Sequence, residues 1–482
     1  MKRYFFVALS ILIGLVSALT PAATGRAAYQ QVHVWLTTPD QQNLLTPQHP
    51  LSWNPATTSG PLAINVDDSQ RYQQIQGFGA SLTDSSAWLI ANRLSLGQRS
   101  QVMTALFSPK SGIGVGVLRQ PMGASDFSTI GNYSYDDMPA GQTDPTLAHF
   151  SIAHDQAYIL PLLRQARQLN PGLWIVGTPW SPPGWMKTTD SMIGGTLNAD
   201  AYGPLANYFV KYVQAYAAQG VPVNAVTPQN EPQYEPSGYP GMLFSATQED
   251  NFVKNNLGPA FAAAHIGTQI LIYDHNWNDQ NGGPATYPQV ILSDPAAAPF
   301  VTGTAFHCYN GAPYTMSDVH AAFPDKGIYE TECSGGSWQG DFAHSFQSQL
   351  QWYIMLGLRN WAQSAVLWNV ALDEYNGPTN GGCMTCRGLV TINQHTGAVT
   401  YTSDYYALGQ VSKFVPSGAY RIGSNTFGWG SIEDVAFQNP DGTHALVAYN
   451  NGSGPLTFTV NWNGRSFSYT LPAAAAATFT WN

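Results

Sequence analysis

Residues 223–234 read VNAVTPQNEPQY. Val223, Ala225 and Val226 make a short strand-like run, after which Gln229, Asn230 and Glu231 crowd into a polar cluster framed by Pro228 and Pro232. A buried strand does not tolerate that cluster, so the stretch reads as a strand that ends by delivering a carboxylate to a loop. The same unit recurs on both sides. Upstream lie QGFGASL (76–82), GVGVLRQ (114–120) and LWIVGTP (173–179); downstream lie QILIYDH (269–275), VTGTAFH (301–307), KGIYETE (326–332) and AQSAVLW (362–368). Amphipathic stretches separate them, among them DQAYILPLLRQARQLN (155–170), LANYFVKYVQAYAAQG (205–220) and FAHSFQSQLQWYIMLGLRN (342–360), and SDYYALGQVSKFV (403–415) follows the last. Eight strand–helix units in succession predict an α/β fold, a (β/α)8 TIM barrel over residues 73–416.

Beyond Pro416 the texture changes to short alternating segments punctuated by Gly, Asn and Pro, which predicts a β-sandwich over residues 417–482. Ahead of the barrel, QQVHVWLTT (30–38) and LAINVDDSQR (62–71) also read as strands, so residues 29–72 are expected to join that sandwich and both chain ends to build it. The first 28 residues, with Lys2 and Arg3 before an apolar run and then small residues, read as a cleaved export signal. Ser10, Gly14, Ser17 and Pro21 interrupt that run, which argues against a stable membrane anchor and for a secreted product. Four cysteines in an exported chain predict disulfides, with Cys383 and Cys386 stapling the loop NGGCMTCRG.

Of the 482 residues 44% are hydrophobic, enough to bury a large core, and only 10% are charged, while 14 Trp and 25 Tyr accompany many Gly, Asn, Ser and Thr. Such a surface suits a neutral hydroxylated ligand. The net charge of −10 and the lack of clustered Lys and Arg exclude nucleic acid as a partner.

In a TIM barrel the chemistry sits where strands run into their following loops. Glu231 ends the fourth strand and Glu332 the seventh, and two carboxylates facing each other across a barrel mouth are what glycoside hydrolysis requires. Asn230 is placed to bond a sugar 2-hydroxyl, unless it only forms the turn before Pro232. Strand alternation sends His307 and Tyr309 to the same side, and no spacing of His, Cys, Asp or Glu predicts a metal. Cys308 and Cys333, each one residue past an inward position on neighbouring strands, stand at similar height and in reach of a disulfide. The same alternation aims Glu330 with Glu332, one layer deeper, where Arg119 is the expected partner.

The motifs GFGASLTDSSA, RQPMGASDFS, TPWSPPGWMKT, VTPQNEP, FHCY, TECSGG, LWN and SKFVPSG, in that order, resemble glycoside hydrolase family 30, the family of acid β-glucosidase (glucosylceramidase) and of microbial β-1,6-glucanases. The resemblance runs from about Gln31 to the C-terminus. It implies a barrel with a side β-sandwich and a retaining β-glycosidase without metal or cofactor, with Glu231 as acid/base and Glu332 as nucleophile. It further implies Asp126 as a contact to sugar hydroxyls, against the plainer reading as a helix N-cap, and Trp180 and Trp368 as faces for a pyranose ring. His307 or Tyr309 would touch and tune the nucleophile. CMTCRG departs from the acid β-glucosidase pattern, which favours a secreted enzyme acting on β-1,6-glucan or other β-glucosides. Family activities on xylan, galactan or fucosides, and a silent glycan-binding barrel, are the alternatives.

Overall fold

The computed structural model of the chain describes residues 1–2, 31–56, 60–278 and 286–482. The expected leader falls, apart from Met1 and Lys2, outside the described residues. Eight parallel strands close into a barrel: Gly77–Ser81, Val117–Pro121, Trp174–Thr178, Ala225–Val226, Gln269–Asn276, Val301–His307, Gly327–Glu332 and Ala362–Asn369. Every strand falls within or almost within its expected segment. The fourth is the shortest: its ladder holds only Ala225 and Val226, and one more bond runs from Thr227 N–H to the Gly177 carbonyl at 3.1 Å. Pro228 has no N–H to continue the pairing, so the chain leaves the sheet there.

The lumen is filled, not open. Val117, Trp174, Val176, Ala225, Leu271, Ala305, Tyr329 and Val366 pack there as a separate buried cluster, in which Trp174 and Tyr329 stack 5.7 Å apart. The opposite faces of the strands pack on helices such as Ile159–Leu169, Tyr202–Ala218 and Ser403–Ser412 and share one large core with them.

The sandwich takes strands from both chain ends. Its seven-stranded sheet pairs His33–Thr37 with Ala476–Trp481 and Asp67–Gln74 with Tyr420–Gly423. Its four-stranded sheet places Ala63–Asn65 in parallel beside Leu456–Trp462. Val34, Ile64, Leu446, Phe458, Phe467 and Phe479 fill the space between.

Two irregularities decide where side chains point. In the fifth strand Tyr273 and Asp274 both take left-handed φ, 77° and 54°, at a register shift that turns the Asp274 carboxylate into the barrel. Between the sixth and seventh strands the register jumps, so that Phe306 faces Glu330 but His307 faces Glu332. Strict alternation therefore fails at the end of the seventh strand, and the expectation for Glu330 is overturned. Tyr329 and Thr331 turn inward, whereas Glu330 points into the helix layer, so tightly against Gly357 that a Cβ there would lie 2.1 Å from its Oε2. Burial raises its pKa well above the usual carboxylate range, opposed only by the Trp277 indole. Arg119 is not its partner.

Both expected disulfides are present. Cys308–Cys333 joins the sixth and seventh strands at their exits with Cα atoms 5.3 Å apart, and Cys383–Cys386 closes its loop at 5.5 Å. Closing 25 residues of sequence with a crosslink stabilises a fold by about 3 kcal/mol. The double substitution Cys308→Ser, Cys333→Ser is expected to lower the free energy of guanidinium unfolding by about that amount; a loss below about 1 kcal/mol contradicts the assignment.

Candidate active site

At the C-terminal end of the barrel a cavity of about 280 Å³ is lined by Asp126, Trp180, Asn230, Glu231, Tyr239, Tyr309, Glu332, Ser334, Trp338, Trp368 and both cysteines of the Cys383–Cys386 loop. All the residues that the sequence offered for catalysis or sugar binding line it except His307, which lies directly beneath, bonded to Glu231.

Arg119, the middle residue of the second strand and with no exposed surface, organises the floor. Its Nη1 donates to Glu332 Oε2, and its Nη2 donates to Asn230 Oδ1 at 2.6 Å and to Asp274 Oδ2 at 2.8 Å. The guanidinium sits 4.7 Å from the Trp180 ring and 5.6 Å from that of Trp368, and these two rings stack at 4.9 Å. The other oxygen of Glu332 accepts the Tyr309 hydroxyl at 2.8 Å. With Oδ1 of Asn230 taken by Arg119, its amide nitrogen is left as the donor toward the cavity.

Glu231 follows where the fourth strand has left the ladder. Its backbone holds a left-handed φ of 45°, rare for a residue with a side chain, and its N–H donates to the Asp274 carbonyl at 3.0 Å. One oxygen of Glu231 and one of Glu332 come within 4.8 Å, with a His307 nitrogen inside the same distance of both. His307 bridges two carboxylates: Nδ1 stands 3.2 Å from Glu231 Oε1, and Nε2 stands 3.0 Å from Asp274 Oδ1. Although burial opposes its charged form, Glu332 and Asp274 together with the bond to Glu231 raise its pKa to about 9, so both ring nitrogens carry protons at neutral pH. This donor set forms a hydrogen-bond relay and offers a metal no free imidazole lone pair.

Burial would raise Asp274, but Arg119 and His307 hold it far below the usual range. Glu231 feels the same conflict: burial raises it, and His307, with His275 and Arg119, brings it below its ordinary value. Burial leaves Glu332 raised despite Arg119 and His307, and the Glu231 charge adds to the effect. The two carboxyls titrate as a pair. This order is the reverse of what an acid at Glu231 and an ionised nucleophile at Glu332 require, because the His307 imidazolium stands against Glu231. Asp126 is raised well above the carboxylate range by burial and then by Glu332 and Glu231. No helix begins at Asp126, so it caps none; its Oδ1 has no partner among the described residues.

The profile of the glycosyl hydrolase family 30 TIM-barrel domain matches residues 75–415, and that of the family's beta sandwich domain matches residues 418–479. The chain belongs to glycoside hydrolase family 30. An endo-1,6-beta-D-glucanase of Trichoderma harzianum is 32% identical over 98% of this chain and 96% of its own length, and one of Aspergillus fumigatus is 35% identical over 86% and 87%. The mouse lysosomal acid glucosylceramidase is 30% identical over 88% and 84%. A solved endo-beta1,6-glucanase, 32% identical, superimposes with a TM-score of 0.85 over 94% of this chain and 99% of its own. This family 30 enzyme is thus a β-glycoside hydrolase. Its disulfides fit an extracellular protein, and among the described residues no helix is long and apolar enough to cross a membrane.

Sequence reading missed three parts of the hydrolase's site. Asp274 was visible only as a polar strand end, YDHN. Tyr239 sits on a loop and Trp338 in a single 3-10 turn, Ser337–Gln339, with no spacing to mark them. The Cys383–Cys386 loop, expected only to be stapled, is a wall of the cavity: Gly382 packs so closely on Asp126 that a Cβ would lie 2.4 Å from its Oδ2.

Because the folded pKa of His307 lies above the ordinary 6.5, the folded state binds the extra proton between these values. Its stabilising contribution is complete below pH 6.5 and is lost as pH rises through about 9. Thermal melts from pH 6 to 10 are therefore expected to fall more steeply for the wild type than for His307→Gln; parallel curves contradict the charged imidazole.

Proposed function

We propose that this hydrolase is a secreted retaining β-glucanase acting on β-1,6-glucan. The observation that carries the retaining assignment is the approach of the Glu231 and Glu332 carboxylates to within 4.8 Å, short of the roughly 6.5–9.5 Å that an inverting pair leaves for water. Glu332 is the nucleophile. Arg119 and Tyr309 grip its two oxygens and fix the carboxylate's orientation, and attack on the anomeric carbon forms a glycosyl ester while the glycosidic C–O bond breaks. Glu231 protonates the departing oxygen, then takes a proton from the water that cleaves the ester.

The reversed resting order of the two carboxyls has a consequence. His307 favours the charged form of Glu231, so the acid form has to be loaded as the glycan enters and expels water, strengthening the burial effect that already pushes Glu231 upward. Once Glu332 is esterified its charge is gone, the pKa of Glu231 falls, and the same carboxyl becomes a base. The Asn230 amide, held through Arg119, is aimed at the sugar 2-hydroxyl; Asp126 meets other hydroxyls, and the Trp180 and Trp368 faces receive the ring.

For the substrate, the support is the breadth of the match to proteins named endo-1,6-beta-D-glucanase, at 32–36% identity over 86–98% of the chain when the Neurospora crassa protein is included. The low surface charge suits a neutral glucan. Reducing-end release is expected from β-1,6-glucan well ahead of xylan and glucosylceramide; equal rates on all would remove the substrate assignment. The roles separate by azide rescue of activated aryl glycosides. Glu231→Ala with azide is expected to give the β-glycosyl azide and Glu332→Ala with azide the α-anomer. Opposite anomers would exchange the two roles, and a loss below about tenfold in both variants would discard the carboxylate pair.

A further inference from the structure

A second cavity, of about 210 Å³, opens where the helical segment after the seventh barrel strand meets the sandwich, and it shares no lining residue with the first. Trp352 and Gln351 line it from the barrel side, Trp429 and Glu433 from the sandwich, and Tyr314 stands at its rim. Trp429 is 66% exposed. It is carried between Gly428 and Gly430, whose φ values of 78° and 79° lie in the left-handed region open to glycine. The backbone thus turns twice to hold an indole out of the core, 6.2 Å from the Trp352 ring and tilted 40° to it, while Tyr314 is also exposed.

Polar groups share the cavity with these rings. Gln351 Nε2 donates to Glu433 Oε1 at 2.6 Å, and Arg359, the cavity's cation, is spent on Asp434 and Ser424. An anionic ligand, phosphate or lipid headgroup, finds two carboxylates and no available cation. A cationic ligand finds Asp434 Oδ1 held by Arg359 and Glu433 Oε1 taken by two amides, while Asp434 Oδ2, which has no hydrogen-bond partner among the described residues, is buried. Aromatic faces beside bonded amide and carboxylate oxygens complement a neutral polyol, its C–H face on a ring and its hydroxyls on acceptors. We propose that this cavity is a second glycan-binding site, holding a glucosyl unit of the polymer whose chain is cut in the barrel mouth. The proposal rests on the reading of the enzyme as a glucanase.

The test compares wild type, Trp429→Ala and Trp429→Phe on two substrates. One is the polymer that the wild type cleaves fastest among β-1,6-glucan, β-1,3-glucan and xylan; the other is an aryl glycoside of one or two sugars. Trp429→Ala is expected to raise KM for the polymer about fivefold with kcat unchanged, to migrate faster than wild type through a native gel containing that polymer, and to turn over the aryl glycoside as before. Trp429→Phe should restore most of the retardation. Equal polymer KM and migration for wild type and Trp429→Ala, or a parallel loss on the aryl glycoside, overturns the second site. If the polymer cleaved fastest is not β-1,6-glucan, the substrate assignment fails while the comparison still decides the second site.

Discussion

A guanidinium with no exposed surface underlies everything else in the barrel mouth. Taking such a charge out of water costs several kcal/mol, which only partners in good geometry offset. Arg119 has them in Asp274 and Glu332, with the Asn230 carbonyl oxygen as a third acceptor and the faces of Trp180 and Trp368 alongside. Each partner is held in turn: Asp274 by Thr227 and Thr331, Glu332 by Tyr309, Asn230 through its own backbone N–H to the Pro179 carbonyl. One residue of the second strand so couples the ends of the third, fourth, fifth, seventh and eighth. Its cationic form is obligatory, because losing it would leave Asp274 and Glu332, both buried, with the His307 imidazolium as their one remaining cation in the cluster among the described residues.

The charge cluster also explains why strain is stored where it is. Asp274 reaches the lumen only because two successive residues of the fifth strand accept left-handed φ, and Glu231 reaches the cavity only with a third. The three conformations converge on the positions of two carboxylates relative to His307 and Arg119. With two cations beside three anions, the site leaves the Glu231–Glu332 pair close to the balance at which a bound glycan redistributes one proton.

The eight strands were legible because each alternates or runs apolar and ends in polar residues, and the sandwich because its strands are short and separated by turn residues. Glu231 and Glu332 were legible for the same reason: they sit at strand ends, a position set by backbone pattern alone. What alternation did not reveal were its own breaks. Glu330 was expected to point with Glu332, and a register jump beside His307 sends it instead into the helix layer. Arg119 was expected only as the partner of a deep Glu330; that it pairs instead with Asp274 and Glu332 was hidden, since the bulge that brings in Asp274 leaves no mark in QILIYDH. Residues such as Tyr239 and Trp338 reach the cavity through contacts between distant segments, and the pairing of Ser337 with Thr385 that brings two of these segments together has no periodicity to betray it.

The claim at the centre of this account is that Arg119 and Tyr309 hold Glu332, and not its neighbour two residues earlier, as the group that bonds to the sugar. Trapping with an activated 2-deoxy-2-fluoro-β-glucoside, followed by proteolysis and mass spectrometry, tests it directly. The account predicts one fluoroglucosyl adduct on the peptide spanning residues 327–333, with fragmentation placing it on Glu332. An adduct on Glu330 or Glu231, or time-dependent inactivation with no adduct in that peptide, would contradict it.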